Sequence, residues 1–115
     1  MARRRLLIVE DEFFIADDCA STAKEAGFEV AGPYSRLEDV PQDLSGISAA
    51  ILDLDLCGVS ASPLVDRLLE MRIPVTLYTG YDAHSDPKKY ANLCRVVKPN
   101  NCDEVIRDLM RQLPS

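Results

Sequence analysis

Long apolar runs are missing from this 115-residue chain. A membrane-spanning helix takes roughly 20 consecutive apolar residues, and no stretch approaches that. The basic opening of "MARRRLLIVEDE" leads only into Leu6 to Val9, too short for a signal-peptide core, and acidic residues follow at once. A cytoplasmic protein without a membrane anchor is expected. Positive charge is also scarce: 13 Lys and Arg stand against 19 Asp and Glu, a net charge of −6. Non-specific nucleic-acid binding depends mainly on Lys and Arg contacts to phosphates. Arg3, Arg4 and Arg5 form the one basic cluster, which reads as a solvated edge, so no nucleic-acid partner is expected. Cys19, Cys57, Cys94 and Cys102 show neither CxxC spacing nor a nearby histidine pattern, which argues against zinc. A cytoplasmic chain of this size needs no disulfides. The cysteines read as small apolar fillers, with Cys57 partly exposed in a loop. His84, the single histidine, sits in the polar "GYDAHSDPKK" and reads as a loop residue rather than a ligand or base. Repeats, low-complexity segments and linkers are absent too, so residues 1–115 read as one domain.

What is present is the make-up of a soluble globular protein, 47% hydrophobic and 28% charged. Three apolar runs stand out: Leu6 to Val9, Ala49 to Leu52 and Val75 to Tyr78. None alternates cleanly with polar residues, so each reads as a strand covered on both faces, as in a parallel sheet. "EVAGPYS" (29–35) and "CRVV" (94–97) are weaker candidates for two more. Helical spacing lies between them. Ile15, Cys19, Ala23 and Ala26 share one face, and Gly27 follows as a stop. Leu64, Val65, Leu68, Leu69 and Met71 make a second apolar face. Asp103 can cap a third helix, with Val105, Ile106, Leu109, Met110 and Leu113 on its apolar side. In "SRLEDVPQDLSG" Pro41 limits any helix, and "AHSDPKKYANL" supports only a turn or two. The alternation predicts an open, doubly wound α/β domain of five parallel strands, whose ligands collect beyond the carboxyl ends of the strands.

Those ends carry chemistry. The first strand runs into Glu10 and Asp11, the third into Asp53 with Asp55 beyond it, the fourth into Thr79 and Gly80, and the fifth into Lys98 and Pro99. Three carboxylates at close quarters repel one another and either take up protons or bind a cation. Their oxygens, a backbone carbonyl and water suit Mg²⁺. A lysine beside a metal suits a phosphoryl group, and a carboxylate can itself act as nucleophile and form an acyl phosphate. Each motif alone reads more simply as a surface charge, an ion pair or an ordinary turn. Together, in order and each at a strand end, they point to phosphoryl transfer onto an aspartate.

The same pieces, "LLIVEDE" (6–12), "AAILDLDL" (49–56), "PVTLYTG" (74–80) and "VVKP" (96–99), resemble the CheY-like receiver domain of two-component response regulators from end to end. That resemblance implies a flavodoxin-like sheet of strand order 2-1-3-4-5 with helices on both faces. It implies that Asp53 is the phosphoacceptor, that Asp11 and Glu10 hold Mg²⁺ with Asp53, and that Asp55 lends its backbone carbonyl to the metal. The side chain of Asp55 would stand at the mouth of the site and influence hydrolysis of the phosphoryl group. Thr79, with Gly80, and Lys98 would bind phosphoryl oxygens, and the Lys98–Pro99 bond would be cis. "PVTLYTGY" is further similar to the stand-alone alphaproteobacterial receivers with a "PFATGUY"-type motif. Pro74, Thr79, Gly80 and Tyr81 match, whereas Val75 replaces the aromatic and Tyr78 the alanine. Where most receivers carry a switching aromatic three residues before the lysine, this chain has Arg95. A guanidinium does not readily enter an apolar slot, which leaves two readings of Tyr81 and Tyr78: one of them takes the place of that aromatic beside Thr79, or both simply pack or face solvent.

The resemblance implies a phosphorylation-dependent signalling domain served by a sensor histidine kinase or a histidine phosphotransfer protein. Output would be contact with a protein target, or the domain would act as a phosphate sink, with no metabolic enzyme activity. Two other readings stand beside it. Asp53-x-Asp55 also resembles the DxD of haloacid-dehalogenase-type phosphatases, although there the motif usually opens the chain. A degenerate receiver that works without phosphate is the other.

Overall fold

A computed structural model describes residues 4–79, 88–90, 93–97 and 102–113. Five parallel strands form the main sheet: β1 (Arg5–Val9), β2 (Glu29–Tyr34), β3 (Ala49–Leu52), β6 (Val75–Thr79) and β7 (Cys94–Val97). Their order is β2-β1-β3-β6-β7, so the expected 2-1-3-4-5 winding is present. A short antiparallel hairpin, β4 (Asp55–Leu56) with β5 (Val59–Ser60), stands apart from that sheet and was not expected. Three helices follow β1, β5 and β7: α1 (Phe13–Glu25), α2 (Ser62–Glu70) and α3 (Cys102–Gln112).

The inner strands β1 and β3 are apolar from Leu6 to Val9 and from Ala49 to Leu52 because successive side chains enter opposite cores. Leu6, Ile8, Ala49, Ile51, Tyr78 and Val96 face one core, closed by Cys19, Ala20 and Ala23 of α1 and Cys102, Val105, Ile106 and Leu109 of α3. Leu7, Val9, Ala50, Leu52, Val75 and Leu77 face the other, closed by Leu64, Val65 and Leu68 of α2 and by Tyr90. Helices therefore cover both faces. Fully burying each Leu or Ile contributes about 1.5–3 kcal/mol, so the two cores together fix the sheet beneath its loops.

The helix boundaries refine the sequence reading. Beyond α1, Gly27 (φ +97°) makes a left-handed exit. Its N–H bonds to Lys24 O and that of Phe28 to Ala23 O, the paired bonds of a Schellman end. Ala26 falls at this exit and is exposed, and Ala16 and Ala20 complete the buried stripe instead. Met71 and Met110 are exposed at the margins of their faces. Asp103 lies inside the first turn of α3, where its charge favours the helix N-terminus without capping it. Between β2 and β3 there is only a 3₁₀ turn at Leu37–Asp39, in keeping with Pro41.

One irregularity bears on the site. The β1–β2 register slips between Leu7 and Val9. Gly32, at φ +103°, takes up the slip, and a Cβ there would lie 2.8 Å from Ile8 O. Pro33 follows it through a cis peptide bond, and the N–H that proline lacks is not missed because β2 is an edge strand. Past the slip, Glu10 N–H bonds to Tyr34 O at 2.9 Å and so extends β1 toward its acidic end.

Candidate metal and phosphoryl site

β1 and β3 lie side by side in register, Val9 level with Leu52, so the residues leaving them emerge together. Asp53 N–H still bonds to Val9 O at 3.2 Å, which ties the exit of β3 to that of β1. Carboxylate oxygens of Glu10, Asp11 and Asp53 consequently lie within 4.8 Å of one another. Glu10 and Asp53 are only 4% and 5% exposed, and Asp11 is half-buried. Glu10 Oε1 accepts the Glu12 N–H at 3.1 Å, which seats the start of α1. Asp53 Oδ1 accepts the Asp55 N–H at 3.0 Å.

The unexpected hairpin closes one side of this cluster. Asp55 Oδ1 accepts the Gly58 N–H at 2.8 Å, and the Cys57 N–H and thiol both point to Asp11 Oδ2, at 3.0 and 2.9 Å. Partial burial pushes the Asp11 carboxyl up. Hydrogen bonds from the Cys57 thiol, the Glu10 side chain and the local backbone outweigh that and hold it below the ordinary range. The Cys57 thiol is pushed up, first by donating to Asp11, then by the Asp11 charge, burial and Asp55, with Arg36 opposing. Beside the hairpin, a cleft of about 640 Å³ runs from Asp11 and Cys57 along Leu37, Leu56 and Val59. At the start of α1, Phe13 and Phe14 are 75% and 85% exposed, their rings edge to face at 5.6 Å.

Thr79 ends β6, level with Val97 of β7. Gly80, Tyr81, Lys98 and the Lys98–Pro99 bond lie outside the described residues, as does His84. Tyr78 is buried in the core beneath α1 and α3. Arg95 is half-buried in β7, level with Leu77. The Asp55 side chain turns into the hairpin. Cys57, read as a loop filler, instead touches the acidic cluster. Gly58 hinted at a turn, but a Cys-Gly pair is not among the usual hairpin dipeptides, and nothing local pointed to the contact with Asp11.

No helix among the described residues is long and apolar enough to cross a membrane. No family model and no curated protein matches the sequence. Solved structures do match in shape. A CheY-like response regulator receiver domain protein from Methanospirillum hungatei JF-1 superposes with a TM-score of 0.78 at 19% identity, over 96% of this chain and 94% of that one. A response regulator receiver protein from Sinorhizobium medicae WSM419 gives 0.75 at 18% identity, over 95% and 93%. A Burkholderia pseudomallei response regulator, solved with a phosphorylated aspartic acid, a calcium ion and citrate, gives 0.79 at 17% identity, over 92% of this chain and 66% of that one. The sheet order, the two helical layers and these superpositions agree: the chain has the fold of the CheY-like response regulator receiver domains.

Proposed function

We propose that this chain is a receiver domain of a two-component phosphorelay and accepts a phosphoryl group on Asp53. The observation that carries the reading is the convergence of Glu10, Asp11 and Asp53 at the carboxyl ends of β1 and β3. Three hard oxygen donors within 4.8 Å of one another fit a divalent cation of the Mg²⁺ kind. Glu10, Asp11 and Asp53, with the Asp55 carbonyl, would hold it. When bound, such an ion neutralises the crowded carboxylates and the charge on the transferring group. The calcium ion and phosphorylated aspartic acid of the Burkholderia protein support the same reading by analogy of fold.

The donor would be the phosphohistidine of a sensor kinase or a phosphotransfer protein. An Asp53 carboxylate oxygen attacks phosphorus in line. The O–P bond forms as the N–P bond breaks, and the departing imidazole keeps the electron pair and takes a proton from solvent. Thr79 ends β6, Gly80 comes next in the chain and Lys98 directly follows β7, and these three would receive the phosphoryl oxygens. Thr79, Tyr81 and Arg95 are the candidates for passing the change outward. The exposed Phe13–Phe14 pair beside the acidic cluster supports a protein partner, because adjoining exposed aromatics suit an interface. Output would be contact with a protein target or storage of phosphate, in the cytoplasm, with no turnover of an outside substrate.

Intact-mass spectrometry with a small phosphodonor and Mg²⁺ tests this. One phosphate adduct is expected on the wild type and on Asp55→Asn, and none on Asp53→Asn. Unchanged labelling of Asp53→Asn would defeat the assignment, and steady hydrolysis of a phosphomonoester would favour a phosphatase.

A further inference from the structure

Asp55 is two residues from Asp53 yet is not one of the three clustered carboxylates. Its side chain serves the hairpin. Oδ1 accepts the Gly58 N–H at 2.8 Å across a turn in which Cys57 (φ +52°) and Gly58 (φ +85°) are both left-handed. That pair of positive φ angles is the signature of a type I′ turn, which matches the twist of its flanking strands. A residue with a Cβ adopts this conformation at a cost, so Cys57 needs contacts to hold it there.

The turn has a consequence for the site. It directs the Cys57 N–H and thiol to a single oxygen of Asp11, at 3.0 and 2.9 Å. Two donors on Oδ2 fix the rotation of that carboxylate. At its other end the Asp55 N–H is held by Asp53 Oδ1 at 3.0 Å. A continuous path of hydrogen bonds therefore runs from Asp53 through Asp55 and the turn to Asp11, joining carboxylates that leave different strands.

We infer that Asp55 is a positioning residue: it closes the hairpin that orients Asp11, and through Asp11 it sets the affinity of the site for its divalent cation. The inference rests on the metal reading proposed above. What the turn needs from Asp55 is an acceptor oxygen rather than a charge, so Asn serves and Ala does not. Partners that orient a metal ligand change metal affinity by about 10- to 100-fold when removed.

Calorimetric titration of the full chain with Mg²⁺, at constant pH and ionic strength, reads this directly. Asp55→Ala is expected to bind about tenfold more weakly than wild type. Asp55→Asn loses the same charge and is expected to recover most of that loss. Equal weakening in both variants would overturn the inference, since charge alone would then be acting, and so would an unchanged affinity in Asp55→Ala. A second arm needs no metal. Amide exchange at Cys57 and Gly58 should speed up in Asp55→Ala and stay near wild type in Asp55→Asn, with β3 amides as the control for folding. Retained protection in Asp55→Ala would overturn the inference by itself. A wild type that takes up no Mg²⁺ sinks the metal reading, while the exchange arm judges the hold of the hairpin separately.

Discussion

The Cys57 thiol donates to Asp11 Oδ2 across 2.9 Å, so an exposed cysteine is bound to a member of the acidic cluster 46 positions before it. The thiolate is the reactive form of cysteine, and a thiol that gives its proton to a carboxylate resists losing it. Cys57 is accordingly pushed above its ordinary value of 9.0, with Asp11 as the leading cause. At pH 8, alkylation of Cys57 by iodoacetamide should be slower in the folded chain than in the unfolded one, despite the exposure. Asp11→Asn should raise the rate and move its pH profile toward lower pH. Peptide mapping separates Cys57 from Cys94 and from the buried Cys19 and Cys102. Equal rates in wild type and Asp11→Asn would show that the pair does not govern the thiol.

Tyr90 is fully buried, and its hydroxyl donates to Asp66 Oδ1 at 2.7 Å and approaches Ser62 O at 3.2 Å. It fastens the turn at Lys88–Tyr90 to α2 from beneath. Tyr90→Phe keeps the ring and removes the bond, so unfolding in urea should show a loss of about 1 kcal/mol. Tyr90→Ala also empties the core and should cost about 3–5 kcal/mol. A Phe variant as stable as wild type would mean that the hydroxyl gains nothing over water.

Gly32 links the fold to the site. Any Cβ there meets Ile8 O and Tyr34 N, both at 2.8 Å, on a backbone with φ +103°. Gly32→Ala should lower stability by about 2 kcal/mol. Tyr34 O holds the Glu10 N–H, so the same change should weaken Mg²⁺ binding as well. Calorimetry on the folded variant decides it: lost stability with intact metal affinity would mean that Glu10 is placed by β1 and β3 alone.

Much of this was legible because strands of a parallel sheet buried on both faces read as nearly continuous apolar runs. Leu6 to Val9, Ala49 to Leu52 and Val75 to Tyr78 announce such strands, and the rule that ligands gather at strand ends led to Glu10, Asp11 and Asp53. Pro41 marked the want of a helix after β2. The hairpin was harder to see. Two-residue strands on either side of Cys57-Gly58 are too short for alternation to register, and cysteine is not a usual left-handed turn residue, unlike Asn or Asp. The Cys57–Asp11 contact joins distant positions through a weak donor, and no local pattern encodes such a pairing. Asp55 read as a residue at the mouth of the site because its spacing from Asp53 is visible in the sequence and its turn toward Gly58 is not.

Stability itself offers a test of the proposed metal site. A cation that binds only the folded chain adds RT ln(1 + [L]/Kd) to its stability, about 2.7 kcal/mol at a hundredfold excess over Kd. The urea midpoint of the wild type should therefore climb with Mg²⁺, fall back on chelation, and fail to climb with NaCl of equal ionic strength. Asp53→Asn removes one of the three converging carboxylates, so its Mg²⁺-dependent gain should shrink toward zero. The same should hold for Asp11→Asn. Asp17→Asn, on the exposed side of α1 and outside the converging trio, should keep the full gain. If Asp53→Asn responds to Mg²⁺ as strongly as wild type, the ion is binding elsewhere and the trio is not its site.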